Sequence, residues 1–233
     1  ENITVQATSE SGAVVTYTSP LATDNIDSDA FASCTPTSGS IFPIGDTTVY
    51  CDKTDTAGNS ADRTTFTVTI TANNPPYFDP IADQSVDEDS LSQNIFVTNV
   101  SPGSGSESDQ TVIMTATSSN TGLIPNPTVS AVSGGIATLT YTPIANAYGT
   151  ATITVLANDG WVYSNTFTRT FNITINSVND APIANPDAAS INEDEILSIA
   201  KSTLLANDTD VEGDILTIPS VSNSVHGSTT IDG

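Results

Sequence analysis

The densest potential chemistry in the sequence is Asp208-Thr209-Asp210-Val211-Glu212-Gly213-Asp214, where four carboxylates fall within seven residues. Held close together without a counter-charge, such groups repel and raise one another's pKa. A hard divalent cation removes that cost. Asp and Glu at alternate positions, with a Gly for the tight turn, are what oxygen coordination of Ca²⁺ requires. The stretch opens like a helix-flanked twelve-residue calcium loop, but its twelfth position is Pro219 where that loop needs a bidentate Glu, and no flanking helical pattern is present. It reads as an acidic turn between strands, either holding a cation or simply solvated.

Other chemistries find less support. A Ser-His-Asp hydrolase would have to recruit His226, the single histidine, and no nucleophile-elbow motif accompanies it. Acidic loops supply many carboxylate pairs, yet loops of this composition are common in non-catalytic repeats, so a glycosidase reading has no specific basis. The sequence is read as non-enzymatic. Two cysteines and one distant histidine fall short of a tetrahedral zinc set. Trp161, with Tyr163 two residues on, offers an aromatic face on which a sugar could stack, and packing inside a sandwich is the competing use. Four glycosylation sequons, at Asn2, Asn99, Asn172 and Asn207, matter only in a source that glycosylates them.

The elements that position these residues are strands. In Thr65-Phe66-Thr67-Val68-Thr69-Ile70-Thr71 the apolar residues share one face and the threonines the other, a period of two. The same alternation recurs at Ala137–Thr142, at Ile153-Thr154-Val155 and at Phe171–Ile175, and helical spacing is nowhere convincing. Turn-rich clusters separate these runs along the whole chain, which predicts an all-β fold of immunoglobulin-like sandwiches in tandem. Four Lys and Arg against 27 Asp and Glu give a net charge of −23, which disfavours nucleic acid and anionic lipid as partners. No apolar run reaches the roughly 18 to 20 residues of a membrane helix, so direct membrane insertion is not expected.

Two Pro-bearing junctions, Asn73-Asn74-Pro75-Pro76 and Asn176–Pro182, divide the chain into expected modules at 1–72, 73–178 and 179–233. The third is short for a sandwich of roughly 100 residues. Some four strands are expected from it, with the remainder supplied by a longer parent chain or by another molecule. The chain thus reads as a piece of something larger.

The first module contains Tyr17–Asn25, Phe42-Pro43-Ile44-Gly45-Asp46-Thr47-Thr48-Val49-Tyr50-Cys51 and Asp55-Thr56-Ala57-Gly58-Asn59 in order. It resembles a hyalin repeat (HYR) domain, an immunoglobulin-like extracellular module linked to adhesion. In a module of that type a disulfide between Cys34 and Cys51 is the simplest reading, with two buried free thiols as the alternative. Residues 75 to 182 are similar to the tandem cadherin-like or immunoglobulin-like repeats of large bacterial surface proteins, on Leu139-Thr140-Tyr141-Thr142-Pro143, Tyr148–Val155 and Val178-Asn179-Asp180-Ala181-Pro182. The third module opens like another such repeat, with Ile191-Asn192-Glu193-Asp194 and the Asp208 loop.

That resemblance implies Ca²⁺ at the second junction, held by Glu88, Asn179, Asp180, Asp208 and Asp210, with Glu212 and Asp214 in the same loop. The upstream Asp-Arg-Glu ligand motif of cadherins is missing, because Tyr141-Thr142-Pro143 occupies that region, so fewer ions are expected. At the first junction Asp159 matches a cadherin ligand, whereas Asn73 and Asn74 are neutral. Asp55 and Asn59 could form a similar loop in the first module, with a plain β-turn as the preferred reading. The function expected is that of a secreted, surface-attached adhesive rod, stiffened by calcium, whose partners are a cell-surface or matrix protein or glycan, or copies of itself. Two alternatives stand beside it: a filament protomer completed by a neighbour's strands, and carbohydrate-binding modules of a secreted enzyme.

Overall fold

A computed structural model describes residues 1–223 and 227–231. His226 lies outside the described residues. Strands dominate, and helix among the described residues is limited to a 3-10 turn at Gly105–Glu107 and one turn, α1, at Lys201–Leu204. The all-β expectation holds.

The first eight strands are β1 (Ile3–Gln6), β2 (Ala13–Val15), β3 (Leu21–Ala22), β4 (Ala30–Phe31), β5 (Ser33–Thr35), β6 (Ser40–Phe42), β7 (Gly45–Asp52) and β8 (Thr64–Thr71). They form a sheet of order β1-β8-β7-β5, with the two-stranded ribbons β2-β6 and β3-β4 beside it. The alternation read in the sequence directs Val68 and Ile70 of β8 inward, where they meet Val49 of β7 and Phe42 of β6 in one core. Cys34 on β5 lies directly opposite Cys51 on β7. The two sulfurs are bonded, so the expected disulfide is present. At Gly12, φ is +116° and a Cβ would lie 1.8 Å from the Phe42 carbonyl oxygen, so only glycine lets the hairpin before β2 approach β6.

The next seven strands are β9 (Gln84–Asp87), β10 (Gln93–Val97), β11 (Ile113–Ser118), β12 (Thr128–Val129), β13 (Ala137–Tyr141), β14 (Gly149–Asn158) and β15 (Thr166–Asn176). Two sheets, β11-β14-β15-β9 and β10-β13-β12, close over a second core. Leu139, Ile153, Val155 and Ile173 are wholly buried within it. Each such side chain contributes roughly 1.5–3 kcal/mol relative to an exposed one. Arg169 fastens the segment entering this sandwich to β15: its Nε donates to the Phe78 carbonyl at 2.9 Å, and its guanidinium lies 5.4 Å from the Tyr77 ring centroid. The first strand of each sandwich runs parallel to the last, β1 beside β8 and β9 beside β15.

Beyond β15 the expectation of some four strands fails among the described residues. The segment has α1 and one isolated bridge, Ile183 to Thr209, and no described residue after Ile175 is buried. Ile196 is 97% and Ile215 93% exposed. Alternating apolar residues become strands only when a neighbour supplies ladder hydrogen bonds and a facing layer removes one side from water, and among the described residues this segment has only the Ile183–Thr209 pair and no buried face.

Candidate metal-binding junction

The second junction lies where the end of β9 meets the chain leaving β15. Glu88, next after β9, is buried at 3% exposure, its N–H donating to the Asn176 carbonyl and its Oε1 accepting the Val178 N–H at 2.8 Å. The strand end therefore aims this carboxylate at the linker. Asp180, on that linker, donates its N–H to Glu212 Oε2 at 3.2 Å, which brings the Asp208 loop to the same place. Gly213, with φ at +77°, closes that loop, and Asp210 Oδ1 accepts the N–H groups of Glu212 and Asp214. Asp208 Oδ1 accepts the Asn185 N–H at 2.7 Å, tying the loop to the strand-like stretch at Ile183. A cleft of about 260 Å³ is lined by Asn179, Asp180, Asp208, Asp210 and Asp214.

Three carboxylate oxygens here, Glu88 Oε2, Asp180 Oδ2 and Glu212 Oε1, are buried with no hydrogen-bond partner. The Asp180 carboxyl is pushed above its ordinary value, first by burial and then by the charges of Asp89, Glu212, Glu88 and Asp210. Among the described residues the sole ion pair is Arg63 with Asp52, on β7, so no basic side chain relieves the cluster. Buried anionic oxygens without donors are costly, and a divalent cation is the species this hard oxygen donor set fits. Among the described residues, however, no group of three or more His, Cys, Asp or Glu converges as a ready-made metal cage.

The first junction is built differently. Asn73, Glu107 and Asp159 are all buried there, at 4%, 2% and 5% exposure. Trp161 and Tyr163, the residues that suggested sugar stacking, both face this junction: Trp161 Nε1 donates to the Ala7 carbonyl at 2.7 Å, and the Asn73 N–H donates to Tyr163 Oη at 2.8 Å. Tyr163 also packs against the first core. In the turn read at Asp55, Asn59 donates to both carboxylate oxygens, at 2.7 and 2.8 Å, closing the turn on itself.

Residues 2–70 match the HYR domain family and residues 178–233 the cadherin-like domain family. The chain carries a HYR domain followed by a cadherin-like domain. Domains of both kinds are extracellular in type. No curated protein matches. Among solved structures, the chain is similar to a protocadherin gammaB7 EC3-6 cis-dimer, at 15% identity and TM-score 0.40, covering 78% of this chain and 47% of that one. It is also similar to the I67-I69 I-band fragment of titin, at 12% identity and TM-score 0.36, covering 60% and 44%. A third is the endo-fucoidan hydrolase MfFcnA4 of glycoside hydrolase family 107, at 16% identity and TM-score 0.33, covering 58% and 19%. The chain thus spans less than half the length of each. Among the described residues no helix is long and apolar enough to cross a membrane.

Sequence reasoning missed several residues at both junctions. Asp89, whose charge acts on Asp180, holds φ at +59° so that its Oδ1 accepts the Asn146 N–H. Ahead of the cadherin-like domain, Glu107 was signalled by the Ser104-x-x-Glu107 spacing of a capping box, and its carboxylate accepts the Ser104 N–H. Gln6 and Gln110 carry no local signal, since only the fold brings them to Asn73.

Proposed function

We propose that the chain is a non-catalytic segment of an extracellular adhesion-type modular protein, with modules at 1–72, 73–178 and 179–233, whose second junction binds Ca²⁺ and is stiffened by it. The observation that carries this reading is the trio of buried, unpartnered carboxylate oxygens on Glu88, Asp180 and Glu212. Cadherin-like domains generally bind calcium, and one of the trio lies upstream of the linker, one on it and one beyond it. A cation held by these three residues, with Asp89, Asn179, Asp210 and Asp214 around it, supplies the positive charge the cluster lacks and couples the modules mechanically. Asp208 orients the loop through Asn185. The partner that suits such a rod is a cell-surface or matrix protein or glycan, or a further copy of the chain. Trp161 and Tyr163 serve module docking in this reading, which leaves little of either for a sugar.

Calorimetric titration of the whole chain with calcium is the test. The expected dissociation constant is on the order of 10⁻⁴ to 10⁻³ M, the range of extracellular modules. Absence of binding heat, together with identical thermal unfolding in chelator and in millimolar calcium, would overturn the proposal.

A further inference from the structure

The first junction answers the same electrostatic problem as the second with hydrogen-bond donors in place of a cation. Its two buried carboxylates, Glu107 and Asp159, have no salt-bridge partner among the described residues. Burying a carboxylate is tolerable only when its oxygens are hydrogen-bonded. Here all four are. Asp159 Oδ1 accepts the Trp161 N–H at 2.9 Å, and its Oδ2 accepts Asn73 Nδ2 at 3.3 Å. Glu107 Oε1 accepts the Asn74 N–H at 2.6 Å and Gln6 Nε2 at 3.4 Å. Its Oε2 accepts the Ser104 N–H and Asn74 Nδ2.

Asn73 is the hub. Its amide nitrogen also donates to the Tyr163 carbonyl at 2.9 Å and the Ser164 carbonyl at 3.2 Å, while its Oδ1 accepts Gln6 Nε2 at 2.8 Å and Gln110 Nε2 at 3.0 Å. Gln6 belongs to β1 of the first sandwich, and the other partners belong to the second, so one neutral side chain bridges both. The Trp161 bond to Ala7 adds a second, independent tie. Among the described residues one buried acceptor here, the neutral Gln110 Oε1, lacks a donor, against three anionic ones at the second junction.

We infer that the first junction is a calcium-independent clamp in which side-chain and backbone amides, organised by Asn73, hold the first two modules in a fixed relation. The chain then has two unlike joints in series, one fixed by its own hydrogen bonds and one controlled by external calcium. Because the clamp uses no ligand, the inference stands whether or not the Asp180 junction binds metal.

Distance distributions measured by pulsed electron resonance on the whole chain, with one spin-label pair across each junction, separate these statements. Removing calcium with EGTA is expected to leave the width of the first-junction distribution unchanged. Broadening there on chelation would overturn the inference, whereas an unmoved second-junction pair would count against the calcium reading alone. Asn73→Asp puts a carboxylate beside Asp159 and removes the donor, and is expected to broaden the first-junction distribution in EGTA. Gln6→Met keeps side-chain length, removes the donor to Asn73 from a strand of the other module, and is expected to broaden the same distribution. Wild-type widths in both variants would refute the role of the amides.

Discussion

Replacing Glu88 by Gln isolates charge from shape at the second junction. The Gln carbonyl oxygen can still accept the Val178 N–H, now held at 2.8 Å by Glu88 Oε1. What disappears is one of three buried, unpartnered anionic oxygens. A charge-assisted contact is worth about 1.5–3 kcal/mol, so losing about 2 kcal/mol weakens calcium binding roughly 30-fold. At a calcium concentration about ten times the wild-type dissociation constant, bound ion stabilises the wild-type junction by about 1.4 kcal/mol and the variant by only about 0.2 kcal/mol. Thermal unfolding with and without EGTA therefore reads a calcium-dependent shift that nearly vanishes in Glu88→Gln. In EGTA the variant is expected to be at least as stable as wild type, since an uncompensated buried charge has gone. If Glu88→Gln keeps the full calcium shift, or is destabilised equally in calcium and EGTA, the carboxylate is structural and the reasoning fails.

Reducing the Cys34–Cys51 bond, whose cysteines are 17 residues apart, is expected to cost the first module about 3 kcal/mol, visible as an earlier unfolding transition in dithiothreitol by calorimetry. Gly103 holds φ at +139° and a Cβ there would lie 2.4 Å from Glu107 Oε2 and 2.9 Å from the Asn74 carbonyl oxygen. Gly103→Ala should therefore destabilise the first junction by about 1–3 kcal/mol in denaturant unfolding followed by the fluorescence of Trp161, the only tryptophan. Burial works against the Glu107 carboxylate, but the Asn74 and Ser104 N–H groups outweigh it and hold the group below its ordinary value of 4.5. A depressed folded value means that its stabilisation is full above about pH 4.5 and is lost as pH falls through the folded value, so acid should loosen the Trp161 environment and Glu107→Gln should flatten that dependence.

The sandwiches were legible because their signal is local. Phe66, Val68 and Ile70 alternate within one strand, and Leu139 with Tyr141 does the same in another, so period two alone identified the buried face. The cysteine pair was legible because a module of extracellular type with two cysteines leaves one intramolecular pairing. The first junction was not. Asn73 and Asn74 look like an uncharged linker, and their role depends on Gln6 and Glu107, which lie 67 residues before Asn73 and 33 residues after Asn74. Asp89 was hidden for a different reason, since a left-handed backbone at a non-glycine residue has no reliable sequence signature. The strands expected beyond residue 179 are absent among the described residues because alternation expresses a capacity to pair, which only neighbouring backbone can fulfil.

The parallel pairing of β1 with β8, and of β9 with β15, sets how the molecule meets traction. A pull applied along the chain would meet β1 and β8 from opposite ends and, past the Arg169 tie at Phe78, β9 and β15 likewise, and these are bonded side by side over four paired residues in each case. Load therefore falls on those rungs together, in shear, instead of peeling them apart one after another. Strands paired this way would give way all at once rather than rung by rung.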